Sequence, residues 1–132
     1  MMQRTSVWIA FLALLFAACS SGLDRPVVSA DAVLDADGVQ RVKVNMHSYY
    51  FEPSRIVVHS GKPVELTVGN SSVFVPHNLT LIGDSLTVNV SKWGPGTHKV
   101  TFTPKTPGEY RFFCHKDGHE KKGMVGTLVV LP

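Results

Sequence analysis

A chain of 132 residues, 44% hydrophobic and 17% charged, has the composition of a globular protein with room for one domain of ordinary size. Its formal net charge of +3 is unevenly divided, about −3 over Ser20 to Gln40 and +5 over Arg41 to Pro132. The basic residues are scattered, which argues against a nucleic-acid binder, and short apolar runs rich in Val, Ile, Thr and aromatics favour β structure over helices.

The chain opens with Arg4 in Met1 to Ser6, an apolar run from Val7 to Phe16, and Ala17 and Ala18 before Cys19. This is the pattern of a signal peptide over residues 1–18. Its ten-residue apolar stretch is too short for a permanent membrane helix. Phe16-Ala17-Ala18-Cys19 resembles a bacterial lipobox with Phe in place of the usual Leu, so Cys19 is expected to be the lipidated first residue of an exported, membrane-anchored lipoprotein, periplasmic or on the cell surface. The alternative is an ordinary secretory peptide cut nearby. Residues 19–40 then form the lipidated cysteine and a flexible tether, small and acidic, long enough to let a domain at 41–132 move off the bilayer.

From Arg41 the pattern changes. Arg41 to Met46 alternates with period two, Arg55 to His59 extends again beyond Pro53, and Val64 to Val68 alternates after a Ser60-Gly61-Lys62-Pro63 turn. Further strands are expected over Asn78 to Ile82, Leu86 to Val90, Lys99 to Phe102, Glu109 to Cys114 and Val125 to Leu131. About eight short strands and no convincing helix make a small all-β sandwich. A metal-free binding module of the immunoglobulin type has the same strand count, although the Cys, Trp, Cys arrangement of true immunoglobulin domains is absent.

The loop Cys114 to Met124 separates the two readings. It offers a thiolate, an imidazole and a thioether at five-residue steps in Cys114, His119 and Met124. With His77, in Val75-Pro76-His77-Asn78-Leu79, these are the cysteine, two histidines and distant axial methionine of a blue copper site, a set whose soft sulfurs favour copper over hard cations. Cysteine counting agrees. If Cys19 is acylated or removed, Cys114 has no partner in the chain, and a solitary thiol in an exported protein is most economically explained as a ligand. Each residue has a plainer reading: Cys114 as a buried apolar thiol, His77 as a surface histidine, His119 as a turn residue, Met124 as core filler. His47, His59, His98 and His115 lack partners at ligand spacing.

Tyr110-Arg111-Phe112-Phe113-Cys114, His119, and Gly123-Met124-Val125-Gly126-Thr127, with Phe51-Glu52-Pro53 and Pro76-His77-Asn78 upstream, resemble the cupredoxins, the plastocyanin and azurin family of blue copper proteins. Four residues between Cys and His, and four between His and Met, are similar to the auracyanin and rusticyanin types rather than to plastocyanin. The resemblance covers nearly all of Arg41 to Pro132. It implies a cupredoxin-like Greek-key β-sandwich holding one copper ion, Cu(I)/Cu(II), on His77, Cys114, His119 and Met124, with Asn78 tying the two ligand-bearing segments together. The implied function is transfer of one electron between membrane or periplasmic redox partners that dock transiently on a monomer. The alternative is storage or delivery of copper. The apolar Phe74 and Pro76 near the site would form the partner surface, with Lys116, Lys121 and Lys122 steering an acidic partner. No enzyme is expected: the His-x-His pairs of a trinuclear oxidase site and the second loop cysteine of a dinuclear copper centre are both missing.

Overall fold

A computed structural model describes residues 25–83 and 86–132. The expected signal peptide and Cys19 lie outside the described residues. Eleven strands are present among those described: β1 (Ser29–Asp31), β2 (Val33–Leu34), β3 (Gln40–His47), β4 (Tyr50–Glu52), β5 (Arg55–His59), β6 (Val64–Asn70), β7 (His77–Gly83), β8 (Leu86–Lys92), β9 (Gly96–Phe102), β10 (Gly108–Phe113) and β11 (Val125–Leu131). They form a six-stranded sheet in the order β1-β5-β11-β10-β7-β8 and a five-stranded sheet in the order β2-β3-β6-β9, with β4 paired to β3.

Period-two alternation decides which faces meet. Val64, Leu66 and Val68 on β6 and Val44 and Met46 on β3 are buried, facing Ile56 and Val58 of β5, Leu79 and Leu81 of β7, and Leu128 and Val130 of β11 across one apolar core. Phe51 and Phe112 meet edge to face at 5.1 Å in that core. Each sheet mixes parallel and antiparallel pairs: β3 runs parallel to β6, and β5 parallel to both β1 and β11.

The eight expected strands are all present. The three additional ones, β1, β2 and β4, are two or three residues long, too short for an alternating pattern to register. Two of them correct the expected tether. From Ser29 the chain pairs in parallel with Arg55 to Val57, and Val33 and Leu34 pair with Arg41 and Gln40, so the domain begins well before Arg41. Two aspartates of that acidic stretch bracket one cation: Arg41 binds Asp35 at 2.6 Å and Asp37 at 2.7 Å. Hydrogen bonding to Arg41 holds the Asp37 carboxyl down to about 2.

The ends of β3, β6, β8 and β10 and the starts of β7 and β11 gather at one pole of the sandwich, as the pairing of Met46 with Asn70, His77 with Lys92 and Phe113 with Val125 requires. The site lies there.

Candidate metal centre

β10 and β11 are an antiparallel pair, and residues 114–124 connect them. The Cys114 N–H donates to the Met124 carbonyl (3.1 Å) and the Met124 N–H to the His119 carbonyl (3.1 Å), so the loop closes on itself like the neck of a bag. A single 3-10 turn, Glu120–Lys122, follows His119, and Gly123, at φ 92°, turns the chain back towards Met124 in a conformation that favours glycine. The result points Cys114, His119 and Met124 inward: Cys114 and Met124 are 0% exposed and His119 8%.

His77 arrives from the other side, as the first residue of β7, and is 0% exposed. The ligand atoms of His77, Cys114 and His119 all lie within 4.8 Å of one another. Cys114 Sγ is 3.4 Å from His119 Nδ1, and the two imidazole centroids are 5.0 Å apart. Met124 is buried in the same loop.

Asn78 joins the two segments. Its side-chain Oδ1 accepts from the His115 N–H (2.9 Å) and lies 3.1 Å from Cys114 Sγ, its own N–H points at that sulfur (3.4 Å), and its amide donates to Thr80 Oγ1 (2.7 Å). His115 is exposed and turned away from the ligand group, with its Nδ1 2.9 Å from Thr80 Oγ1. His47 stacks on Tyr50, His59 contacts the Pro132 carbonyl, and His98 is exposed on β9. None of the three joins the cluster.

Electrostatics favour the neutral form of both imidazoles. Burial, reinforced by the neighbouring His119 and His47, pushes the His77 pKa down to about 4. His119 is also pushed down, by burial first and then by Lys122 and Lys116. Neutral rings keep lone pairs free for a metal. His77 Nε2 is 3.0 Å from Ser72 Oγ, but His77 Nδ1, among the described residues, is the one buried side-chain nitrogen or oxygen with no hydrogen-bond partner. A buried group of that kind needs a partner. A nitrogen orphaned beside a thiol and a second imidazole fits a metal ion of copper's ligand preferences.

Two neighbours of the site escaped the sequence. Ser72 anchors the far nitrogen of His77, and Tyr49 meets the rings of His119 and His77 edge-on at 4.9 and 6.3 Å. The only sequence signal for Ser72 is its place in the loop five residues before the histidine; Tyr49 lies in a different turn and has none. Around the pole, Phe74 is 88% exposed, Pro76 and Lys116 are half-buried, and Lys121 and Lys122 are exposed. Arg25 stacks its guanidinium 4.0 Å over the Tyr50 ring and shares with Lys122 and Gly123 the walls of a groove of about 590 Å³.

A family model described as a cupredoxin-like domain matches residues 8–130. No curated protein matches the chain significantly. Among solved structures, auracyanin from Roseiflexus castenholzii is 19% identical with a TM-score of 0.65, the alignment covering 70% of this chain and 97% of that one. Auracyanin A, a "blue" copper protein from Chloroflexus aurantiacus, is 22% identical with a TM-score of 0.61, covering 70% and 99%. The metal-binding domain of the Streptococcus pneumoniae D39 Cu(I)-exporting P-type ATPase, solved with Cu(I), is 18% identical with a TM-score of 0.63, covering 82% and 100%. At these identities the likeness is one of fold.

Proposed function

Because the chain belongs to the cupredoxin-like domain family, we propose that it is a one-electron carrier in which His77, Cys114, His119 and Met124 would hold a single copper ion. The observation that carries this reading is the orphaned His77 Nδ1, aimed into a buried group of a thiol and a second imidazole. Bound there, copper would supply a centre that cycles between Cu(I) and Cu(II).

The chain's own residues would do the rest. With copper on Nδ1, Ser72 Oγ, 3.0 Å from His77 Nε2, would accept from Nε2–H and so hold the tautomer that leaves Nδ1 as the lone-pair nitrogen. Asn78 holds the Cys114 and His77 segments in one register and places an N–H against the sulfur, which disperses thiolate charge. The strands that deliver the ligands are packed on a common core, which would hold the ligand geometry steady as the charge of the site changes. Burial of His77, Cys114 and Met124 excludes water.

Docking of redox partners is proposed for the exposed Phe74 and Pro76 with the flanking Lys116, Lys121 and Lys122, which would attract an acidic partner surface. Lipidation at Cys19 would restrict these encounters to a membrane face. A second reading, copper storage or delivery, is favoured by the likeness to the metal-binding domain of a copper-exporting ATPase.

The test is a copper(II) titration followed optically and by electron paramagnetic resonance. One equivalent is expected to give an intense thiolate-to-copper band with narrow hyperfine splitting, lost in Cys114→Ala. A pale spectrum without the band would remove Cys114 from the ligand set and with it the electron-carrier reading. Transfer of the metal itself to an acceptor, without reversible reduction, would favour delivery.

A further inference from the structure

Tyr49 stands where its backbone does not favour it. It is the second residue of the Ser48-Tyr49 turn that joins β3 to β4, and its φ is 72°, the one positive φ among the described non-glycine residues. For a bulky side chain that conformation is a true outlier, and such outliers persist where the surroundings hold them and a function uses them. The surroundings here are the metal centre. The Tyr49 ring is set at 84° to both His119 and His77, with centroids at 4.9 and 6.3 Å. Lys122 Nζ lies 3.8 Å from the centroid of the same ring, a cation-π contact that ties the turn to the loop carrying His119. Tyr49 itself is half-buried while His77 is 0% and His119 8% exposed, so the ring stands between the two imidazoles and solvent.

We infer that Tyr49 is the cover of the metal centre, a positioning residue that shields His119 and sets how slowly the bound metal leaves. The inference rests on the copper reading above. It gives the strained turn a role: glycine would suit the backbone better and leave the imidazoles open. Metal loss to a competing chelator requires the chelator's donors to replace Cys114 and the histidines one at a time, without any electron changing hands. An aromatic cover denies the first of those donors its approach.

The experiment uses the purified full chain loaded with one equivalent of Cu(I) and challenged anaerobically with excess of a water-soluble aromatic diimine chelator. Tyr49→Gly is expected to release copper about tenfold faster, as removal of two aromatic edge contacts suggests. Tyr49→Phe, which keeps the ring, is expected to release at the parent rate. In the metal-free proteins, carbethoxylation of His119 by diethyl pyrocarbonate, read by peptide mass, should quicken in Tyr49→Gly alone. An unchanged rate in either assay for Tyr49→Gly overturns the inference. Should that variant not fold, Tyr49→Asn, which tolerates the left-handed region without the ring, is judged by the same two rates. Failure of the parent to show a thiolate-to-copper band would instead refute the copper reading, an outcome visible before any chelator is added.

Discussion

His77 is an expensive residue to leave without a metal. Its Nδ1 is buried and unpaired, and its pKa is pushed to about 4, so the fold holds it neutral where an unfolded chain would take up a proton near 6.5. The sign follows from linkage. Below about pH 6.5 the unfolded state binds more protons than the folded one, so stability rises with pH through this window. The metal-free protein is therefore expected to lose thermal stability as pH falls from 6.5 towards 4, an effect that His119, also shifted down, reinforces. His77→Gln should flatten that slope; melting curves across the window check it, and a slope equal to the parent's would place the acid sensitivity elsewhere. At this scale the sequence was informative in one respect. His77, Cys114, His119 and Met124 could be picked out because three share one loop at equal steps and the fourth follows a proline. Ser72 and Tyr49 could not, because a hydroxyl and a ring act on the site across turns that only the folded chain brings together.

Strands β10 and β11, with the loop between them, are the element that brings three of the proposed ligands, Cys114, His119 and Met124, to the pole where β7 presents His77. Their register, Phe112 opposite Gly126 and Phe113 opposite Val125, sets where Cys114 leaves the sheet and where Met124 rejoins it. Gly126 is required for that closeness. A Cβ there would clash with two edge carbons of the Phe112 ring and lie 2.7 Å from the Ser54 carbonyl oxygen, which is backbone and cannot step aside. Gly126→Ala is expected to destabilise the fold by about 1–3 kcal/mol, the usual range for overpacking, and to broaden the copper spectrum by shifting Cys114. Chemical denaturation measures the first effect and electron paramagnetic resonance the second; a variant as stable as the parent would mean that Phe112 can repack. Tyr49→Gly makes an instructive contrast. Relief of a left-handed residue, about 1–2 kcal/mol, is opposed by the extra freedom of an unfolded glycine, about 0.5–1 kcal/mol, so its fold should melt near the parent temperature. The long strands were legible through alternation in Val64 to Val68 or Leu86 to Val90. β1, β2 and β4 were not, since pairing partners rather than pattern define so short a strand.

Across the whole molecule, the boundary of the domain is the feature that sequence composition placed too late. The acidic run before Arg41 reads as solvated chain until Asp35 and Asp37 are seen to clamp Arg41, and until Ala32 and Val28 are seen to exchange backbone hydrogen bonds with Val57, Ser54 and Arg55. A chain beginning at Arg25 is expected to melt at least about 5 °C above one beginning at Arg41, as a difference of roughly 1 kcal/mol would give in a domain of this size; coincident melts would restore the later boundary. The Arg25 guanidinium on Tyr50 carries a further consequence. Five residues lie between Cys19 and Arg25, and the six steps of a fully extended chain, at about 3.6 Å each, span at most roughly 20 Å. If Cys19 carries lipid as proposed, the leash is attached beside the metal pole and is shorter than the bilayer is thick, about 40 Å with its headgroups. The carrier would then be confined to a shallow layer over the membrane, where its search for a partner is lateral and two-dimensional, and a redox centre set deep in the aqueous space would be out of its reach.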